Sequence, residues 1–494
     1  MINGDSSAFK RKYSEISKLS VGELVASYHI HQSKRTKVSP AAAARQPSLK
    51  IMNISIDDLP DVVLVEILCR LPCYKFVSRC KLVSKRWYTL MSNAYFIGRF
   101  LCLQRDHKKT PVMCTLINRS GYEFLSRISA SANPLSSLFK RLKSFYHLKE
   151  PVMVSTYNDL VLCCASKCEQ RDYYICNPYT LQCVPLPPPP QVDWLVPVGF
   201  ICDHHYYNCE KDDIIQLNAE YRCKVMRLIF PYGQEIACKK FKVQIFSSET
   251  GEWRESIVTS PLDFNFHFIN FEAHFIYNGM LFWGGACYGN FLIGLDPFMI
   301  DSSSGANGDD HYECRLVDIE LDRRFMFECL GTYRGCLRMC DYNSATRVFS
   351  VRDLNEEEIF HGGTVKLCTE NRKVYSLDKE MMPDNDPTGN LMLGFDPYND
   401  DILYLQRGGD RGIVKCDIHT REWSKIAEKH RKRRIESCVY FPLVLLWWPT
   451  PVPRLPQHCH LTPSPPQAFN LRACCKVHSI IAADKDEAKV PSDV

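Results

Sequence analysis

Two groups of side chains have the types a metal would need. Cys202, His204, His205 and Cys209 bring two thiols and two imidazoles within eight residues, and His458, Cys459 and His460 are followed by Cys474, Cys475 and His478. A structural zinc site takes four such ligands, usually with residues between the members of each pair. Neither group has a pair of CxxC motifs. Cys474-Cys475 and the His-Cys-His run also lack spacers, so both groups read as loop and tail residues, and no metal or other cofactor is expected. The sequence has no G-x-S-x-G elbow, no H-E-x-x-H and no Gly-rich phosphate loop. Acidic residues number 56, so paired carboxylates of the glycosidase kind stay open. Lys429-His430-Arg431-Lys432-Arg433-Arg434 holds five basic residues in six. It reads as a solvated loop between strands, with a nuclear import signal or a patch for an acidic target as the alternative. A net charge of +5, from 61 basic and 56 acidic residues, gives no reason to expect a nucleic-acid partner.

The elements around these residues fall into distinct regions. Residues 1–52 carry nine Lys/Arg against three Asp/Glu and read as a disordered basic lead, with at most a helical turn at Val21–Tyr28. Met1–Ser20 hold no apolar core of the kind a secretory signal requires. From Ile56 to about Leu103 the pattern is helical. Leu64, Ile67, Leu68 and Leu71 fall at i, i+3, i+4 and i+7 on one stripe. Pro60 suits the first turn, Asp57 or Asp58 can cap it, Asp61 complements the dipole, and Pro72 ends the helix. A second helix fits Phe76–Leu82. Ser84 is an N-cap for a third helix carrying Trp87, Leu90 and Met91. Three short helices cannot enclose much apolar surface, so the Leu59, Leu64, Leu68 and Leu71 stripe is expected to face a partner. Trp87 reads as core, and Glu66 with Arg70 as a surface i,i+4 pair.

Past a polar stretch, Arg105–Leu148, the chain is strand-like to about Pro453. Gly199-Phe200, the strand Lys224–Leu228 and the run Lys242–Trp253 recur in the same order as Gly394-Phe395-Asp396-Pro397, Asp401–Leu405 and Ile413–Trp423. Both copies end in a polar turn with Thr and then Glu-Trp. Partial echoes occur at Gly294-Leu295-Asp296-Pro297, Asn177-Pro178-Tyr179-Thr180 and the Asn278-Gly279 hairpin turn. Repeating four-stranded units over some 300 residues favour a β-propeller of six or seven blades over an irregular β-sandwich. The 25 cysteines are an odd, scattered set. Cys163, Cys164, Cys287 and Cys416 sit in apolar strand-like runs and read as reduced thiols in a reducing compartment, nucleus or cytoplasm. The most apolar run, Val439–Trp448, is interrupted by Pro442 and is about half the ~20 residues of a membrane span, so no membrane partner is expected.

Asp58-Leu59-Pro60-Asp61, Leu64, Glu66-Ile67-Leu68, Arg70-Leu71-Pro72 and Cys80–Trp87, closing at Asn93-Ala94-Tyr95-Phe96, resemble an F-box. Cys176-Asn177-Pro178-Tyr179-Thr180 with Leu186-Pro187-Pro188, the Val243–Trp253 strand and turn, and Trp448-Pro449-Thr450-Pro451 are similar to the F-box-associated, kelch-like propeller domains of plant proteins. On that resemblance the domains are a lead (1–52), an F-box (53–104), a linker or first propeller strands (105–149), the propeller (150–453) and a flexible tail (454–494). The resemblance implies a non-catalytic substrate-recognition subunit of a Skp–cullin–F-box ubiquitin ligase. Leu59, Pro60, Leu64, Ile67, Leu68, Leu71, Pro72, Val83, Lys85 and Trp87 would meet the Skp-type adaptor, and through it a cullin, while the propeller would recruit an unknown protein target. Loops near 203–220 and 301–311 are candidates for contacting that target. The rival reading is a propeller enzyme or carbohydrate-binding protein with a merely structural helical lead.

Overall fold

The computed structural model describes residues 56–106, 113–118 and, with several breaks, 134–456. The chain divides into two compact units: Met1–Thr110 with Asn208–Leu217, and Pro111–Tyr207 with Asn218–Val494. The lead, Cys287, His204, His205, Cys209, the 429–434 basic run, residues 303–311 and the tail beyond 456 lie outside the described residues.

The first unit is helical. A single 3-10 turn, Ile56–Asp58, precedes α1 (Asp61–Leu68). Pro60 occupies the N-cap position with φ −59°. The N-cap residue is therefore Pro60 and not the expected Asp57 or Asp58, which lie in the preceding turn. Asp61 does lie in the first turn of α1, where a carboxylate suits the dipole. Helix α1 ends at Leu68 rather than at Pro72, through the tightened bonds Arg70 N to Ile67 O and Leu71 N to Leu68 O. Next come α2 (Tyr74–Cys80) and α3 (Lys85–Ser92). Ser84 caps α3 as its type predicts, accepting from Trp87 N at 3.1 Å. The chain then forms a fourth helix that was not expected, α4 (Ala94–Asp106), whose first turn is held by Asn93 Oδ1 accepting from Tyr95 N. Phe96, Ile97, Phe100 and Leu101 on α4 are buried along with Leu64, Leu68, Val77, Trp87 and Met91.

The second unit is mostly strands. Strand β1 (Met113–Asn118) is followed by helix α5 (Pro134–Phe145). This helix lies within the stretch read as a polar linker. Its Leu135, Leu138 and Leu142 are buried with Met153, Val161, Phe441 and Leu443. The first four-stranded sheet is β2 (Val152–Tyr157), β3 (Leu160–Cys164), β4 (Tyr173–Asn177) and β5 (Gln182–Pro185). The second is β6 (Val198–Cys202), β7 (Cys223–Ile229), β8 (Ala237–Ser247) and β9 (Glu252–Asn265).

The third sheet has β10 (Ile269–Tyr277), β11 (Met280–Gly285) and β12 (Phe291–Leu295), after which comes a short helix, α6 (Pro297–Ser302). The two-residue β13 (Tyr312–Glu313) adds in parallel to β9, while β14 (Arg315–Asp318) completes the run from β12. The fourth sheet is β15 (Met326–Tyr333), β16 (Cys336–Asn343), β17 (Val348–Leu354) and β19 (Lys373–Ser376), with β18 (Thr364–Lys366) running parallel to β14. The fifth is β20 (Leu391–Phe395), β21 (Ile402–Gln406), β22 (Ile413–Asp417) and β23 (Trp423–Lys425). The last strand, β24 (Tyr440–Leu445), returns to pair with β1.

First strands of successive sheets touch: β2 and β6, β6 and β10, β10 and β15, β15 and β20, with β24 against β2. Gly199 on β6 allows one such approach, since a Cβ there would stand 2.6 Å from Leu281 and 2.9 Å from Trp283.

The repeat seen in the sequence is a repeat of strands and turns. Gly199-Phe200 and Gly394-Phe395 both lie on first strands, and Trp253 and Trp423 both lie in the first two residues of fourth strands. The β4–β5, β8–β9 and β22–β23 turns share a left-handed residue just before the new strand: Leu181 (φ 58°), Gly251 (φ 73°) and Arg421 (φ 62°). Asn177 Oδ1 accepts from Tyr179 N and Thr180 N, and Asp417 Oδ1 does the same for His419 N and Thr420 N. This side-chain turn mimics a backbone one and explains the recurring Asn or Asp three residues before Thr. Gly294-Leu295-Asp296-Pro297 differs from its supposed counterpart, because Gly294 is on a third strand and Gly394 on a first.

Trp253 and Trp423 are half-buried, not fully buried as equivalent core residues would be. Each packs on the third strand of the preceding sheet, Trp253 against Tyr173 and Trp423 against Phe349. Among the described residues no helix is long and apolar enough to cross a membrane.

Candidate functional site

The helical unit holds every residue assigned to adaptor docking, and its core claims several of them. Leu64 is 0% and Leu68 3% exposed, and Trp87 is buried as expected. Leu64 and Leu68 of the expected stripe are therefore core residues, buried as Phe96, Ile97, Phe100 and Leu101 of α4 also are, while Leu59 and Leu71 are only half-buried. Leu59, Pro60, Ile67 and Leu71 are half-buried, while Pro72, Val83 and Lys85 are exposed. Val83 is 61% exposed, and Ile56, Phe76, Tyr88 and Tyr95 also keep large apolar surfaces in solvent.

Polar contacts fix this surface from behind. Arg86 Nε donates to Asp61 Oδ1 at 2.8 Å, and its two Nη groups donate to the carbonyls of Asp57 and Leu59. One guanidinium on α3 thus holds the segment that presents Leu59 and Pro60 at the start of α1. Glu66 does not form the surface pair expected with Arg70. It is 1% exposed, and its carboxylate receives Arg99 Nε at 3.2 Å and Nη2 at 3.3 Å. Gln104 Nε2 reaches the Leu71 carbonyl, tying α4 to the end of the α1 turn. Burial pulls the Lys81 amine down to about 8. That ammonium sits 5.8 Å from the centre of the Tyr88 ring. Arg86 and Arg99 were missed because their partners lie 25 or more residues away in the chain. The one legible signal was Arg86 standing beside Trp87.

The loop read as a target contact near 203–220 contributes its middle, Asn208–Leu217, to this helical unit. Ile215 is buried there, with its carbonyl 3.9 Å from where a Cβ on Gly98 would lie.

In the β unit, Ser155 Oγ lies 2.7 Å from His274 Nε2, the one arrangement in the described β sheets that resembles a nucleophile and base. Ser155 is fully buried, so the pair bridges β2 and β10 and presents no nucleophile to a substrate. Cys202 Sγ lies against Cys223 Sγ, and no group of three metal-ligating side chains exists among the described residues.

The family model described as F-box protein At3g26010-like, beta-propeller, matches residues 128–442, and the F-box domain model matches residues 56–97. F-box protein At3g28330 of Arabidopsis thaliana is 25% identical over 72% of this chain and 82% of its own length. F-box protein At5g49610 of the same plant is 29% identical over 48% of the chain and 61% of its own length. F-box only protein 8, also from that plant, is 40% identical over 16% of the chain and 28% of its own length.

Proposed function

The chain belongs to the F-box protein At3g26010-like beta-propeller family, and from that membership we propose that it is the substrate-recognition subunit of a Skp–cullin–F-box ubiquitin ligase. In this reading the helical unit docks on a Skp-type adaptor and through it a cullin. The propeller, six-bladed with β1 and β24 in the sixth blade, holds a protein target while a separate enzyme transfers ubiquitin. The chain itself is a non-catalytic subunit. It works in the nucleus or cytoplasm, where buried thiols such as Cys163, Cys164 and Cys176 stay reduced.

The observation that carries the reading is the apolar surface left on a four-helix unit that matches the F-box. Val83, Phe76, Ile56, Tyr88 and Tyr95 remain exposed after the core is filled, and exposed apolar surface of this kind marks a docking face. Leu59 and Pro60 are half-buried, and Arg86 holds their segment through the Asp57 and Leu59 carbonyls.

The test is calorimetric binding of purified Skp-type adaptor to the full chain carrying Leu59→Ala with Pro60→Ala, or Val83→Glu. A central contact is worth ~2 kcal/mol or more, so each variant should bind at least ~30-fold more weakly with its unfolding temperature unchanged. Folded variants that keep full adaptor affinity would overturn the proposal.

A further inference from the structure

From the geometry of the second sheet we infer that Cys202 and Cys223 are a redox-responsive pair that closes reversibly into a cross-strand disulfide. The two sulfurs stand 3.0 Å apart, only about 1 Å beyond the ~2.05 Å of a disulfide bond. Their residues are directly opposed on antiparallel β6 and β7. The neighbouring pair, Asp203 and Arg222, is the hydrogen-bonded one, with Asp203 N donating to Arg222 O at 2.9 Å. Cys202 and Cys223 therefore occupy the non-hydrogen-bonded position, where Cα atoms are ~4.5 Å apart. That spacing lies within the range a disulfide spans, so the bond can form without moving the strands.

The surroundings hold both residues in register. Cys223 N donates to Ser248 Oγ at 2.8 Å and Cys223 O accepts from Ser248 N. Arg222 clasps Asp203 through Nε at 2.6 Å and through its backbone N at 2.7 Å. Both thiols are buried. Burial pushes the Cys202 thiol well up, with Cys223, Asp203 and Asp159 adding to it, so thiolate is scarce and the first step is slow. The oxidant is a peroxide. One thiolate attacks its distal oxygen, the O–O bond breaks, and a sulfenic acid and one water result. The second thiol then attacks that sulfur, expels hydroxide that leaves as a second water, and the S–S bond forms. Two thiols are oxidised and one peroxide is reduced to two waters. Proximity serves the second step, because the resolving sulfur is already in place.

The bond would cross-link the base of the 20-residue connection between the two cysteines. It therefore makes the stability of this sheet depend on the redox state of its surroundings, whatever the propeller binds.

The test treats the full-length protein with hydrogen peroxide for hours, blocks remaining thiols in denaturant and maps peptides by mass. The expected result is a peptide joining Cys202 to Cys223, about 2 Da lighter than the two thiol peptides together and released by dithiothreitol. The oxidised protein should melt at least ~3 °C higher, with the gain lost on reduction. Cys202→Ala and Cys223→Ala should each lose both effects. Recovery of both cysteines as blocked thiols or sulfinic acids, or joined to other cysteines, would overturn the inference. The wild-type peptide map decides even if an alanine variant fails to fold.

Discussion

Asp159 is fully buried in the second unit and offers the sharpest test of the packing. Its carboxylate accepts from Asn177 Nδ2 at 2.7 Å, from Thr450 N at 2.7 Å and from Thr450 Oγ1 at 2.6 Å. Desolvation outweighs these three bonds and pushes the carboxyl up to about 6. Against an unfolded value of ~3.9, a rise of about two units is worth ~3 kcal/mol. The folded-state value is the raised one, so the proton favours folding. The contribution is fully present below about pH 4 and is lost as the pH rises through about 6. Asp159→Asn removes the titration while keeping one oxygen to accept and an amide that can donate to Thr450 Oγ1. The stability of wild type relative to Asp159→Asn, from urea unfolding at a series of pH values, should therefore fall by ~2–3 kcal/mol between pH 4 and pH 8. Asp159→Ala also removes the titration, so its cost should fall by the same ~2–3 kcal/mol between pH 4 and pH 8, on top of a constant ~1–3 kcal/mol for leaving Thr450 N without its acceptor. A difference between wild type and Asp159→Asn that is flat or grows with pH would show that the hydrogen bonds outweigh desolvation, and the reasoning would fail.

Other outcomes follow from the packing. Leu64→Ala should destabilise the helical unit by ~2–5 kcal/mol, seen as lost helical circular dichroism on mild heating, whereas Val83→Glu should leave the unfolding midpoint unchanged. Trp253→Ala should cost more than Trp423→Ala in denaturant unfolding, at ~2–3 kcal/mol, because Trp253 Nε1 also donates to Pro187 O at 2.7 Å. Ending the chain after Leu445 should lower the melting temperature of the β unit, since Val452 and Leu455 pack on the core of the first two sheets.

The features legible in the sequence are those set by near neighbours. Ser84 could be read as a cap because its partner, Trp87 N, is three residues away. The repeats could be read because each turn carries its own Thr three residues after a short polar side chain, Asn177, Ser247 or Asp417. Burial was not legible in the same way. The stripe of Leu64 and Leu68 has the same periodicity whether it faces a partner or another helix of its own unit, and both are core residues here. Polar partners were less legible still. Glu66 meets Arg99 across 33 residues, Asp159 meets Thr450 across 291, and the Cys202–Cys223 pairing depends on a strand register that the sequence between them does not specify. Helix α5 was missed because its apolar positions, Leu135, Leu138 and Leu142, are separated by polar residues that read as a linker.

The long-range polar contacts have a common role in joining the two ends of the β unit. A domain built of successive sheets leaves exposed strand edges where it begins and ends, and such edges invite wrong pairing. Here β1 pairs with β24, and Val444 N donates to Asn158 O beside β2. The segment after β24 then crosses the first two sheets, with Tyr221 OH donating to Pro451 O and Asn177 Nδ2 to Thr450 O. Val452 and Leu455 supply apolar burial, but apolar contact is non-directional and would be almost as good one residue out of register. Thr450 cannot tolerate that slip, because its N–H and hydroxyl meet the two oxygens of one buried carboxylate. The apolar residues hold the segment down and Asp159 fixes where it sits, which accounts for a carboxylate kept in a place where its charge is costly.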